Sequence, residues 1–106
     1  MIRDKVLDLI KGHREDLENF KIKSLYLFGS VARNEDRPDS DIDFLVDFDG
    51  PTTFDRFMDL KFFLSDLLQR KVDLVTINGI RPELKNHIAQ DICTAYDHSP
   101  GHNLLY

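Results

Sequence analysis

The chain holds a single cysteine, Cys93, which excludes an internal disulfide and any zinc site built from several cysteines. No apolar run approaches the roughly 20 residues that a membrane-spanning helix needs. The opening residues, Met1-Ile2-Arg3-Asp4-Lys5, mix charged and apolar side chains and lack the apolar stretch of a secretion signal. Positive charge is scarce as well: 14 Lys and Arg stand against 19 Asp and Glu, for a formal charge of −5. An acidic domain repels phosphate backbones, so a nucleic acid is a poor candidate partner. These shortages lead us to expect a reducing, cytoplasmic setting without membrane attachment.

What is present suits one folded unit. The 106 residues are 42% hydrophobic and 31% charged, enough for a single core. Ile2, Val6, Leu9 and Ile10, continued by Leu17 and Phe20, recur at helical spacing, and Gly12 splits that stretch into two short helices. Ser24 to Phe28 forms a compact apolar strand closed by Gly29. Ile42 to Phe48 alternates, with Ile42, Phe44, Val46 and Phe48 on one face and Asp41, Asp43, Leu45 and Asp47 on the other. After the turn Asp49-Gly50-Pro51, Thr52 or Thr53 caps a helix over residues 54–69. Val72 to Ile77 is a third strand, and Pro82 opens a last helix that runs to about Ile92. The pattern predicts an α/β (α+β) domain over residues 1–97, a small mixed sheet flanked by helices, with a flexible tail over 98–106. A helix of about sixteen residues between the second and third strands makes them parallel, and the shorter link between the first and second allows an antiparallel pair.

That topology gathers three places at one end of the sheet: Gly29-Ser30, Asp41 with Asp43, and Asp73. Asp41 and Asp43 are two apart on a strand, so both carboxylates leave the same face. Like charges that close repel unless a cation lies between them, and oxygen-only ligands suit a hard ion such as Mg²⁺. With Asp73 from the neighbouring strand, three carboxylates form the minimum set for two divalent ions roughly 3.5–4 Å apart. Gly29 lets the backbone approach a ligand, Ser30 can cap a short helix whose amides face an anion, and Arg33 adds positive charge or a surface ion pair. Each piece alone is commonplace. In this order they describe a nucleoside triphosphate site.

Leu27-Phe28-Gly29-Ser30-Val31-Ala32-Arg33, the ten residues between Ser30 and Asp41, and Asp41-Ile42-Asp43 resemble the Gly-Ser-x10-Asp-x-Asp signature of the nucleotidyltransferase superfamily. The small size is similar to its minimal nucleotidyltransferase (MNT) branch, which includes the MntA-type antitoxins paired with HEPN-domain toxins. The resemblance covers residues 2–95, and Asn34 departs from it where glycine is usual. It implies a Mg²⁺-dependent enzyme that transfers AMP from ATP to a hydroxyl, a tyrosine of a HEPN-type toxin. Asp41 and Asp43 would hold both metal ions, Asp73 would complete one and assist the proton's departure, and Gly29, Ser30 and Arg33 would bind the nucleotide. Two rivals stand beside it: an antitoxin that neutralises its partner by occlusion without catalysis, and transfer to a small molecule or RNA.

Other features carry less. His98 and His102 have helical spacing, but Pro100 and Gly101 lie between them and argue against ligation. His13 and His87 read as surface residues, and Cys93 and Tyr26 as packing residues. On the helix over 54–69, Phe57, Leu60, Leu64, Leu67 and Leu68 suit the sheet, while Phe54, Met58 and Phe62 form a second stripe at i, i+4 and i+8. Either the N-terminal helices cover that stripe or it contributes to association, with a partner or a second copy of the chain.

Overall fold

The computed structural model describes residues 2–98, apart from the side chains at positions 84, 85, 87 and 89. The chain runs α1 (Arg3–Gly12), α2 (Arg14–Asn19), β1 (Ile22–Phe28), α3 (Gly29–Ala32), β2 (Ile42–Phe48), α4 (Phe54–Leu68), β3 (Val72–Thr76), α5 (Pro82–Asp91) and β4 (Cys93–Asp97). A 3₁₀ turn at Ile77–Gly79 follows β3. The strands form one mixed sheet in the order β3-β2-β1-β4. As the connection lengths require, β1 and β2 are antiparallel, while β2 and β3, joined through α4, are parallel. Among the described residues no helix is long and apolar enough to cross a membrane.

The local breaks follow from local chemistry. α1 stops at Gly12, and His13 leaves the helical region at φ −115°, ψ 29° before α2 begins. Of the two candidate caps for α4 it is Thr53, extended at ψ 159°, whose hydroxyl accepts from the Arg56 amide at 3.2 Å. Gln69 at φ 53° ends that helix in the left-handed conformation.

One strand was not expected from the sequence. Instead of ending on the last helix, the chain turns at Ile92 and returns as β4, antiparallel beside β1. Ala95 and Tyr96 are adjacent yet both buried, because the register with β1 slips between Leu25 and Tyr26. A slipped register erases the period of two by which a strand is recognised. Cys93 is half-buried and packs against the core from this strand. The ladder reaches one residue further, where the His98 amide donates to the Lys23 carbonyl at 2.9 Å. The rest of the expected tail, His102 included, and the His87 side chain lie outside the described residues.

Ile42, Phe44, Val46 and Phe48 of β2 enter one apolar cluster with Val6 and Ile10 of α1, Leu17 of α2, and Leu60 and Leu64 of α4. Leu9 instead points outward at 42% exposure, and Leu7 packs against the cluster. The second stripe of α4 stays uncovered: Phe54 and Phe62 are 75% and 62% exposed, and Met58 is half-buried. The N-terminal helices reach only the edge of α4. There the Phe63 ring meets Phe20 at 5.2 Å between centroids and His13 at 6.3 Å. His13 is therefore more than a surface residue, since its Nδ1 also donates to the Leu9 carbonyl at 2.9 Å.

The two faces of α4 can be told apart by melting. Phe62→Ser should change stability by no more than about 0.5 kcal/mol. Leu64→Ala, at a fully buried position, should cost about 2–5 kcal/mol.

Candidate active site

Backbone pairing decides how the carboxylates meet. Ile42 and Phe44 are drawn into the core, so Asp43 between them must leave the opposite face of the sheet. Asp43 pairs with Phe28 on one side and with Asp73 on the other. Val72 and Leu74 are buried, and Asp73 between them is exposed on the Asp43 face. Asp41 lies half-buried just ahead of β2, next to the Ile42 amide that donates to the Lys71 carbonyl at 3.0 Å. The expected gathering of Asp41, Asp43 and Asp73 with Gly29-Ser30 is thus found at one end of the sheet.

Gly29 is required here twice over. Its φ of +78° favours a residue without Cβ. A Cβ built there would also lie 3.0 Å from Asp43 Cγ and overlap Asp43 Oδ2. The glycine therefore makes room for a carboxylate as well as for any phosphate. Asn34 adopts φ 60°, the left-handed conformation that a glycine usually supplies and that asparagine tolerates.

Ser30 differs in detail from the sequence expectation, while Arg33 takes the ion-pair alternative. The cap of α3 is Phe28, and Ser30 lies inside the first turn, so its hydroxyl does not cap the helix. The first-turn amides of such a helix have no carbonyl four residues behind them and remain available to an anion. Arg33 ends α3, with Nε 3.2 Å from Glu35 Oε2 and Nη1 3.3 Å from Asp91 Oδ2. Those carboxylates strengthen its hold on its proton. Asp91, at the end of α5, was not anticipated, because 58 positions separate it from Arg33 and only the tertiary fold joins them. A cleft of about 270 Å³ opens beside Gly29, lined by Phe28, Arg33, Ile88, Gln90 and Asp91. Neither this cleft nor a larger hollow of about 640 Å³ at the end of α4 is lined by Asp41, Asp43 or Asp73.

The charge balance is uneven. Burial, and then the charges of Asp73 and Asp41, push the Asp43 carboxyl up to about 6, while Arg33 opposes the shift. Among the described residues no three His, Cys, Asp or Glu side chains converge into a ready-made metal cage. The donor chemistry nevertheless fits divalent cations. It consists of carboxylate oxygens alone, and Asp43 carries a repulsion that a cation would relieve.

Gly29→Val should destroy nucleotide binding and displace Asp43, whereas Ser30→Ala should cost about 1–2 kcal/mol of it, as titration with ATP and Mg²⁺ would measure. A raised carboxyl pKa means that the folded state binds the proton more tightly, so stability falls as pH rises from about 4 through 6. Without divalent cations, Asp43→Asn should therefore be more stable than the wild type at neutral pH, by about 1 kcal/mol after solvent screening. Melts in EDTA should show that gap closing below about pH 4.

Comparison with known proteins places the chain in a family. Residues 10–92 match the model of the nucleotidyltransferase domain family. A Methanocaldococcus jannaschii protein, provisionally named a protein adenylyltransferase, is 41% identical over 90 residues, which span 83% of this chain and 92% of that one. The protein adenylyltransferase MntA of Thermococcus cleftensis is 33% identical over 90 residues, spanning 84% and 87% of the two chains. A solved complex of a tri-AMPylated HEPN toxin with its MNT antitoxin, from Shewanella oneidensis, contains a chain that superposes with a TM-score of 0.58. It covers 90% of this chain and 78% of that one at 19% identity, a likeness of fold. The chain belongs to the nucleotidyltransferase domain family, on its minimal branch of small protein adenylyltransferases.

Proposed function

We propose that this protein transfers AMP from ATP to a tyrosine hydroxyl of a HEPN-type toxin and thereby acts as its antitoxin in the cytoplasm. The observation that carries the reading is Asp43 paired beside Asp73 and packed against Gly29 at one end of the sheet, with the charge of Asp41, two residues earlier, also acting on Asp43. Asp41 and Asp43 would hold two Mg²⁺ ions, with Asp73 completing one of them. Bound there, the ions neutralise triphosphate charge and lower the pKa of the acceptor hydroxyl. Gly29 and Ser30 cradle the triphosphate. Arg33 can reach it by exchanging Glu35 or Asp91 for a phosphate oxygen. The acceptor oxygen forms a bond to the α-phosphorus, the bond from that phosphorus to the bridging oxygen breaks, and pyrophosphate departs. Asp73 assists removal of the hydroxyl proton.

A protein acceptor is supported by the relatives' names and by the toxin found AMPylated in the Shewanella oneidensis complex. The acidic surface argues against RNA. The exposed Phe54 and Phe62 make α4 a contributor to association, within a heteromeric complex or between copies. Neutralisation by occlusion alone is less well supported, because all three carboxylates are retained.

The test is to incubate the protein with a purified HEPN-type partner, Mg²⁺ and ATP labelled at the α-phosphate. Label should appear on a tyrosine of the partner, and Asp41→Asn or Asp43→Asn should reduce it to background while the melting curve stays cooperative. Label on RNA or a small molecule would change the acceptor, and neutralisation without label would favour occlusion.

A further inference from the structure

Asp41 is the one aspartate of the three outside the regular sheet, at the end of a polar connection between α3 and β2. Such a segment places a carboxylate only if something outside it holds the backbone. The residues before Asp41 form a tight turn of their own: the Ser40 amide donates to the Arg37 carbonyl at 2.9 Å, and the Arg37 amide donates to Ser40 Oγ at 2.8 Å. That turn is in turn held from α4's far end. Gln69 terminates the helix in the left-handed conformation, and the half-buried Arg70 follows it immediately. Arg70 Nη2 donates to the Arg37 carbonyl at 3.3 Å and to the Ser40 carbonyl. The next residue, Lys71, accepts the Ile42 amide at 3.0 Å. Asp41 is therefore bracketed, with Ser40 tied by Arg70 and Ile42 by Lys71.

We propose that Arg70 is a positioning residue for Asp41. By gripping the turn that precedes it, Arg70 ties the Asp41 carboxylate to the same short segment that three residues later supplies Asp73. Two carboxylates arriving from different parts of the chain thereby share one frame. The proposal rests on the reading of Asp41 as a ligand of the catalytic cations. A guanidinium suits the task because its fork offers several donors in fixed directions, whereas a lysine is a single point of charge.

Arg70→Met keeps the apolar stem and removes the donors. Amide hydrogen exchange at Ser40 and Ile42, the bonded amides on either side of Asp41, should then accelerate by about tenfold or more in the metal-free protein. In the transfer assay kcat should fall by about ten- to a hundredfold, and more Mg²⁺ should be needed for half-maximal rate, while the KM for ATP stays within about twofold. Arg70→Lys, able to reach one carbonyl, should recover part of the loss. Unchanged exchange at Ser40 and Ile42, or kcat and Mg²⁺ dependence equal to wild type, would overturn the proposal. So would a loss of activity that merely tracks a lowered melting temperature. Asp41→Asn, measured alongside, separates the two levels: if it stays active the site reading itself has failed, and if it is inactive while Arg70→Met is normal, only the role of Arg70 has.

Discussion

Asp43 and Asp73 sit side by side on parallel strands, held there by a backbone ladder that ignores their charge. The pairing of β2 with β3 is set by the burial of Ile42, Phe44, Val72 and Leu74 on the other face. A shift by one residue would turn these apolar side chains outward, so the hydrophobic term holds the register. The two carboxylates must accept the position that the core assigns them. The carboxyl of Asp43, lifted to about 6 by burial and by its neighbours, is the electrostatic trace of that compulsion.

The rest of the site is arranged around this strained centre. Gly29 has no side chain where Asp43 needs space, and its positive φ turns β1 into α3 within one residue. Arg33 closes α3 and is itself held by Glu35 and Asp91, which leaves one positive charge beside the aspartates without letting it collapse onto them. The result is a corner rich in fixed negative charge with backbone amides beside it. Electrostatics of this kind are worth little until a cation and a polyanion arrive together, and each then compensates the other.

α4 serves the site and the surface at once. Its buried side, Leu60 and Leu64, fastens the crossover that makes β2 and β3 parallel. Its other side leaves Phe54 and Phe62 in solvent, and its end delivers Arg70 to the turn before Asp41. Packing against the sheet and an uncovered aromatic face therefore share one fifteen-residue helix, and Arg70, two residues past its end, reaches the turn before Asp41.

Much of this was legible in the sequence because it depends on near neighbours. The period of two in residues 42–48, the break at Gly12, a threonine cap for α4 and the spacing from Gly29-Ser30 to Asp41 and Asp43 are all written over about fifteen residues or fewer. Chain length alone made β2 and β3 parallel. Other features exist only between distant parts of the chain, and the tertiary structure decided them. β4 exists as a strand because β1 offers it an edge, and its slipped register hides the alternation that would have announced it. Arg33 ends on Asp91 because α5 packs near α3, and no local pattern marks that meeting. The stripe of Phe54 and Phe62 is uncovered while His13 and Phe20, at the ends of the N-terminal helices, meet α4 at Phe63 and Arg56, a matter of where whole helices lie. Local geometry is set by bonds and side-chain period, which a sequence displays directly. Long-range contacts depend on how the elements share one core, and that is settled only when the chain has folded.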